Sequence, residues 1–107
     1  MKSLRNQNRR PTHPGAVLRE DILPALKMTQ TELAERIGVS RLSVSELIHE
    51  KRAMSPEMAV RIATLFNTSA ESWLRMQEAV DLWTVRQDQG KLASIKPLPQ
   101  SRVDMAA

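Results

Sequence analysis

The residues that follow Ser40 are of the types that read the edges of DNA bases. On the helix predicted to begin there, the outward positions are Arg41, Leu42, Ser43 and Ser45. Arginine pairs with guanine in the major groove, and an apolar side chain can contact a thymine methyl group. An ordinary helical hairpin, the competing interpretation, would carry a mixed, charged outer face instead. We therefore expect Arg41, Leu42 and Ser45 to contact base edges.

Other polar residues nearby are suited to hold the phosphate backbone. Amide groups at the start of a helix attract anions, and two predicted helices start here. The carboxylates of Glu46 and Glu50 would repel phosphate, so they should point away or accept from a cytosine amino group. For Lys51 and Arg52, a solvated loop is a nearly equal alternative. The predicted backbone contacts are Gln30, Ser40, Ser43, His49, Lys51 and Arg52.

Two capped helices and a tight turn must position these residues. Thr29 and Glu32 have the spacing of a capping box, in which each side chain satisfies the other residue's amide. Gly38 can adopt the left-handed conformation that a sharp turn needs, and Ser40 is a second N-cap. The apolar positions that join the two helices are Leu33, Ala34 and Ile37 on the first and Val44, Leu47 and Ile48 on the second. This order within residues 30–48 predicts a helix-turn-helix motif.

Three further helices complete an all-α chain of five helices joined by short turns. Their predicted starts are Pro14, Ser55-Pro56, and Thr68 or Ser69. The first of them should end or kink near Leu23, because Pro24 lacks the amide proton that a helix interior needs. The last should run to about Gln89, before Gly90.

The last long helix has more apolar surface than one core requires. A terminal helix with a single neighbouring core needs one apolar stripe, and this helix has two. The second stripe favours a symmetric dimer, although a helix wedged deep within its own domain is the alternative. The predicted dimer interface consists of Trp73, Leu74, Val80, Leu82 and Trp83.

Charge and composition divide the chain into three parts. Four of the 16 basic residues precede Pro11, which leaves 16 − 4 = 12 basic against 12 acidic residues in the remainder. Residues 1–12 are therefore predicted to be a flexible basic arm that either contacts phosphate or is simply solvated. Residues 13–89 should form the helix-turn-helix domain with its dimerisation helix. The proline-containing residues 90–107 should be a flexible tail, or a clip that orders on a partner.

The sequence offers little for catalysis, for a cofactor or for a membrane. It has no cysteine, and its two histidines, His13 and His49, lack the spacing of metal ligands. Neither a phosphate-cradling glycine loop nor a nucleophile elbow is present. No apolar run approaches the roughly 18 residues that a membrane span needs. We expect a cytoplasmic protein that is not an enzyme and uses no cofactor or metal.

Several segments together resemble the HigA branch of the XRE-type regulators, across roughly residues 13–82. They are His13-Pro14-Gly15, the predicted helix-turn-helix, Lys51-Arg52, Ser55-Pro56-Glu57-Met58-Ala59, Ser72-Trp73-Leu74-Arg75-Met76-Gln77 and Asp81-Leu82. Two positions depart from the family pattern. Glu50 stands where the family commonly has glycine, and Val80 replaces a frequent aromatic residue, for which Trp83 can compensate.

The resemblance implies a lambda-repressor-like DNA-binding domain and an antitoxin of a type II toxin–antitoxin system. Members of this branch bind double-stranded operator DNA as homodimers and repress their own operon. They also bind a HigB-like toxin of RelE type, which cleaves mRNA on ribosomes. Two alternatives remain open: a stand-alone XRE-family repressor without a toxin partner, and an interaction module that uses the same helical face only for protein. A bacterial antitoxin or stand-alone repressor would be associated with the nucleoid when it is bound to its operator.

Overall fold

The computed structural model describes residues 9–106, and all the regular structure in this range is helical. Residues 1–8, which hold most of the predicted basic arm, lie outside the described range. The first helix, α1, has three consecutive segments, Pro14–Val17, Leu18–Ile22 and Leu23–Leu26. The helices that follow are α2 Gln30–Ile37, α3 Arg41–Ile48, α4 Pro56–Phe66, α5 Ala70–Gln87, α6 Gln89–Leu92 and α7 Gln100–Asp104.

Helix α1 continues past Pro24, so of the two outcomes predicted near Leu23, an end or a kink, the end does not occur. Its middle segment is π-helical, and the Leu23 amide donates to the Leu18 carbonyl five residues back. Pro24 then occupies the first turn of the closing α-helical segment, where an amide proton is not required. The helix ends at Leu26, and Lys27 takes a left-handed conformation with φ 52°. The proline thus changes the local helix type without ending the helix.

The helix-turn-helix forms as predicted. Thr29 Oγ1 accepts from the Glu32 amide at 3.0 Å, and Ser40 Oγ accepts from the Ser43 amide at 3.1 Å. Gly38 has φ 72° and ends α2 with the paired backbone bonds of a left-handed cap. One detail of the capping box was wrong. The Glu32 carboxylate accepts from Arg36 Nε at 2.8 Å rather than returning to the Thr29 amide.

The core lies where α2, α3 and α4 meet under α1 and α5. The predicted inward residues of the motif are all buried, and Val44 and Leu33 are fully enclosed. Helix α1 crosses α3 in direct backbone contact, since a Cβ atom built on Gly15 would lie 1.9 Å from the Leu47 carbonyl oxygen. Glycine is required at this crossing. The inner side of α3 is therefore held by α1 as well as by α2.

Helix α5 packs one face onto this core and leaves another face open. Trp73 is 3% exposed and Val80 is 4% exposed, so burial inside the protomer leaves both with little surface for a second copy. Trp73 Nε1 donates to Thr68 Oγ1 at 2.9 Å. Leu82 is 42% exposed and Trp83 is partly buried. The dimer contact itself stays a prediction, for which Leu74, Leu82 and Trp83 keep exposed surface in the protomer.

The described part of the tail contains two short helices, where the sequence analysis found no helical period. The side chains of α6 and α7 are exposed, including Leu92 and Val103. No helix in residues 9–106 is long and apolar enough to cross a membrane. The tail's predicted flexibility, and its ordering on a partner, stay predictions.

Candidate nucleic-acid interface

The outward face of α3 is open to solvent, while its inward face is held by the core. Leu42 is 66% exposed and Arg41 is exposed, whereas Val44 and Leu47 are 0% and 1% exposed. The predicted base-contacting residues Arg41, Leu42 and Ser45 therefore lie on the side of α3 turned away from the core.

The first turn of α3 is organised by two hydroxyl groups. Ser40 Oγ accepts from the Ser43 amide, and the two hydroxyls bond each other at 2.8 Å. These bonds fix the helix start and leave the remaining first-turn amides available to an anion. Gln30 at the start of α2 and Arg41 at the start of α3 line one shallow cleft of about 500 Å³, together with Lys27 and Thr29. The structure thus brings the predicted phosphate and base contacts Gln30 and Arg41 to one place.

Glu46 of α3 forms an ion pair with Arg52, which follows the helix, and this pair changes the role expected for Glu46. Arg52 donates to Glu46 Oε1 at 2.6 Å and to Ser43 Oγ at 3.2 Å. Glu46 was expected to point away from phosphate or to read a cytosine. Instead it neutralises Arg52 and holds the guanidinium back along α3. Lys51 is exposed beside this pair.

His49 folds back onto α3. Its Nδ1 lies 2.8 Å from the Ser45 carbonyl oxygen and 3.4 Å from Ser45 Oγ. Because a carbonyl oxygen only accepts, Nδ1 carries the proton in this arrangement. The imidazole is exposed at the end of the helix, where the sequence placed a phosphate contact.

His13 is the N-cap of α1. Its Nδ1 accepts from the Gly15 amide at 2.9 Å, and the side chain is buried. Burial lowers the pKa of His13, against the opposing attraction of the Glu50 carboxylate. A neutral imidazole is required here, because a protonated Nδ1 could not accept this bond.

Glu50 occupies a left-handed backbone conformation, with φ 62°, at the position where the family pattern has glycine. Its carboxylate accepts from Arg10 Nη1 at 2.7 Å and from Arg19 Nη1 at 3.3 Å. Arg19 also donates to the Ile48 carbonyl, which ends α3. The hydrogen bond from Arg10 lowers the pKa of Glu50, against the effect of partial burial, and Arg19 adds to the lowering. The sequence analysis missed both arginines, because they lie 40 and 31 residues from Glu50 along the chain.

Among residues 9–106, no group of three or more histidine or acidic side chains is placed to hold a metal ion. Around α3 the structure gathers cations, hydroxyls and amides, together with two carboxylates, Glu46 and Glu50, that are paired with arginines. Such a set is suited to the recognition of an anionic, groove-shaped surface by contact and hydrogen bonding.

Comparison with known proteins places this geometry in a family. A helix-turn-helix family model matches residues 18–73. An uncharacterized HTH-type transcriptional regulator, YbaQ of Escherichia coli K12, is 44% identical over 82 residues, which cover 77% of this chain and 73% of the relative. Antitoxin HigA-1 of Vibrio cholerae is 37% identical over 98 residues, which cover 89% of this chain and 90% of the antitoxin.

Two solved structures extend the likeness to complexes with DNA. Antitoxin HigA of Pseudomonas aeruginosa with the higBA promoter has a TM-score of 0.76 at 33% identity, covering 84% of this chain and 98% of the antitoxin. Antitoxin GraA in complex with its operator has a TM-score of 0.78 at 33% identity, covering 91% and 99%.

Proposed function

Because this chain belongs to the XRE-type helix-turn-helix family, with HigA antitoxins among its relatives, we propose that it binds operator DNA through the outward face of α3. As a symmetric dimer it represses the operon that encodes it, and it neutralises a HigB-like, RelE-type toxin. These are binding reactions of the cytoplasm, and they need no catalytic residue or cofactor.

The observation that carries the DNA-binding proposal is the solvent-exposed outward face of α3. Arg41 and Leu42 project from a helix whose opposite side is buried, at the end that leads into the major groove in such motifs. The register of the protein on DNA would be fixed by phosphate contacts from Gln30, Ser40, Ser43, His49 and Lys51. Arg52 would contribute only in part, since Glu46 holds its guanidinium.

A gel shift on the chain's own promoter tests this proposal. We expect specific binding that weakens steeply as salt rises, since each neutralised phosphate releases counterions. Binding that is equally strong on unrelated DNA, or no binding at all at low salt, would refute it. An interaction module that uses α3 only for protein predicts the second of these results.

Dimerisation is proposed through the exposed face of α5 that carries Leu82. Leu82 and Trp83 line a cleft of about 490 Å³, together with Arg75, Glu78 and the chain's own Arg9 and Pro11. The Trp83 Nε1 atom is buried within the protomer without an acceptor among the described residues, so the exposed Leu82 rather than this atom would meet a second copy.

Sedimentation of Leu82→Asp tests the dimer. The charge should give a folded monomer whose operator affinity falls at least about tenfold, because two half-sites are no longer linked. Val60→Asp is the matched control, since Val60 is 55% exposed on α4, outside the proposed contact. A Leu82→Asp protein that stays dimeric at the same concentration would place the contact elsewhere.

The toxin partner is proposed from the family and from the similarity to HigA-1. Co-expression with the product of the adjacent reading frame should rescue growth from that product's toxicity, and the two proteins should co-purify. The similarity to YbaQ, which is named as a transcriptional regulator, favours a second candidate, a stand-alone repressor. Specific operator binding with no co-purifying partner from the native host would select that candidate.

A further inference from the structure

The guanidinium of Arg52 lies beside the first turn of α3, although its backbone follows the end of that helix. Arg52 Nη1 donates to Ser43 Oγ at 3.2 Å, and Nη2 donates to Glu46 Oε1 at 2.6 Å. Ser43 is the third residue of α3, whereas Arg52 comes four residues after Ile48, the last one. The side chain therefore runs back along the helix, towards the end that leads into the major groove in such motifs.

Two hydrogen bonds to successive turns of α3 orient this guanidinium. Ser43 and Glu46 are three residues apart and are therefore neighbours on the helix surface. Ser43 Oγ is itself held in place, because it bonds Ser40 Oγ at 2.8 Å. A planar guanidinium with two such partners has a fixed direction, which the point charge of a lysine would lack. Since a guanidinium has five N–H donors, these bonds leave donors for a further acceptor.

The Arg52 guanidinium and Arg41 are on different sides of α3. Ser43, which Arg52 contacts, follows Arg41 by two residues, and residues with this spacing do not share a helix face. The two arginines also line different depressions of the surface, one with Lys27 and the other with Lys51. A base contact from Arg52 would thus fall on a base pair other than the one that Arg41 contacts.

The partner of Arg52 is a carboxylate on the outward half of α3. Glu46 lies one turn beyond the exposed Leu42, and its side chain is 35% exposed while that of Arg52 is 46% exposed. The ion pair cancels the charge that Arg52 would otherwise offer to the phosphate backbone. Attraction to phosphate therefore gives no reason for a carboxylate at this position, whereas a fixed direction for the guanidinium does.

We propose that Arg52 reads a guanine edge in the major groove and that Glu46 is its positioning residue. Arginine meets guanine O6 and N7 through two hydrogen bonds, and this geometry requires a correctly directed guanidinium. The inference rests on DNA binding as proposed above, and it assigns Arg52 to a base edge in place of a partial phosphate contact. Glu46 acts through Arg52 without touching DNA.

Arg52→Lys separates base reading from phosphate contact, because it keeps the charge and removes the planar fork. We expect operator affinity to fall by at least about fivefold and the preference at one base pair to relax. Affinity for an unrelated duplex, and its dependence on salt, should stay the same since the number of cations does not change. Unchanged operator affinity and base preference would make Arg52 a phosphate contact and would overturn the proposal.

Glu46→Ala tests the positioning role. Removal of one negative charge should raise the affinity for an unrelated duplex or leave it unchanged. The preference at the base pair read by Arg52 should nevertheless relax by about threefold or more, because the guanidinium is no longer fixed. In an Arg52→Lys background, the same substitution should cause no further relaxation, as expected for two residues that act as one unit. A further relaxation there would mean that Glu46 contacts a base itself, which would overturn the positioning role.

Glu57→Ala is the matched control. Glu57 pairs with Arg61 at 3.2 Å, so its substitution makes the same charge change in an arginine–glutamate pair on α4 rather than α3. Arg61 keeps its other bond, to the Ile37 carbonyl oxygen. The base preference of this variant should equal that of the unmodified protein. Thermal unfolding of each variant verifies that it is folded at the assay temperature.

The experiment is a set of fluorescence-anisotropy titrations of the operator, its single-base variants and an unrelated duplex with the full chain. The proteins are the unmodified chain, Arg52→Lys, Glu46→Ala, their double variant and Glu57→Ala. Relaxation at one shared base pair, with no added effect in the double variant, supports the proposal. If the unmodified protein binds its operator no better than the unrelated duplex, the proposed function fails and the inference falls with it. If it binds specifically and Glu46→Ala keeps the full base preference, the inference alone is overturned.

Discussion

The Gly15 backbone lies directly against the Leu47 carbonyl oxygen, which a Cβ atom on Gly15 would approach to 1.9 Å. Backbone atoms cannot move aside as a flexible side chain does, so this contact sets how closely α1 and α3 cross. Since α3 also carries the proposed recognition face, the position of that face depends on a glycine in another helix.

Gly15→Ala should therefore destabilise the protein by about 3 kcal/mol, the upper part of the usual range for overpacking. For a domain of this size, the melting temperature should fall by roughly 10 °C or more. Gly90→Ala is the control, because the nearest atom to its added Cβ would be Asp88 Oδ1 at 3.5 Å, an ordinary contact. Differential scanning calorimetry measures both, and equal melting temperatures for the two variants would contradict the close crossing.

Arg41→Ala should weaken operator binding by about 1–3 kcal/mol and relax the preference at one base pair, if its guanidinium pairs with a guanine edge. The measurement is affinity for a panel of single-base operator variants. Arg36→Ala removes the same charge from α2, where Arg36 is paired with Glu32, and should leave the base preference unchanged. An Arg41→Ala protein with a full, unshifted preference would remove Arg41 from the base-reading set.

Trp73→Ala should cost about 3–5 kcal/mol in unfolding free energy, because it empties a buried site and leaves Thr68 Oγ1 without its indole donor. Urea unfolding at several protein concentrations measures the loss. We expect the cost to be independent of concentration, as for a residue of the protomer's own core. A cost that grows on dilution would assign Trp73 to the dimer contact instead.

Stability should decline as the pH falls below the ordinary histidine pKa of 6.5, because His13 is buried and its pKa is lowered in the folded state. The unfolded chain binds a proton at His13 in this range while the folded chain resists it, so lower pH favours unfolding. His13→Asn keeps a capping acceptor that does not titrate. Between pH 7.5 and 5.5 its melting temperature should change less than that of the unmodified protein, and an identical change would show that His13 is not the group responsible.

The helix-turn-helix could be predicted because its signals are local. The caps and the turn depend on hydrogen bonds between groups only a few residues apart, at Thr29, Gly38 and Ser40. The types and spacing of these residues therefore identify the caps and the turn before any tertiary contact is known. The open face of α3 followed from the same pattern, since Val44 and Leu47 had to point inward.

What the sequence could not predict depends on contacts between distant residues. The Arg10–Glu50–Arg19 cluster joins three parts of the chain, and nothing in the spacing of these residues indicates it. Pro24 marked an irregularity in α1, but the proline alone did not show that the helix would continue past it through a π-helical segment. In α5, the period showed that Trp73 and Val80 are buried, but a period cannot tell whether the covering surface belongs to the same protomer or to another one.

The amide spectrum of ¹⁵N-labelled protein, recorded with and without an operator duplex, tests most directly whether the outward face of α3 binds DNA. The largest chemical-shift changes should fall on Gln30 and on residues 40–52, and they should be absent with an unrelated duplex at the same salt concentration. Changes confined to α5 and the tail, with the amides of α3 unmoved at saturating operator, would contradict the proposed mode of recognition.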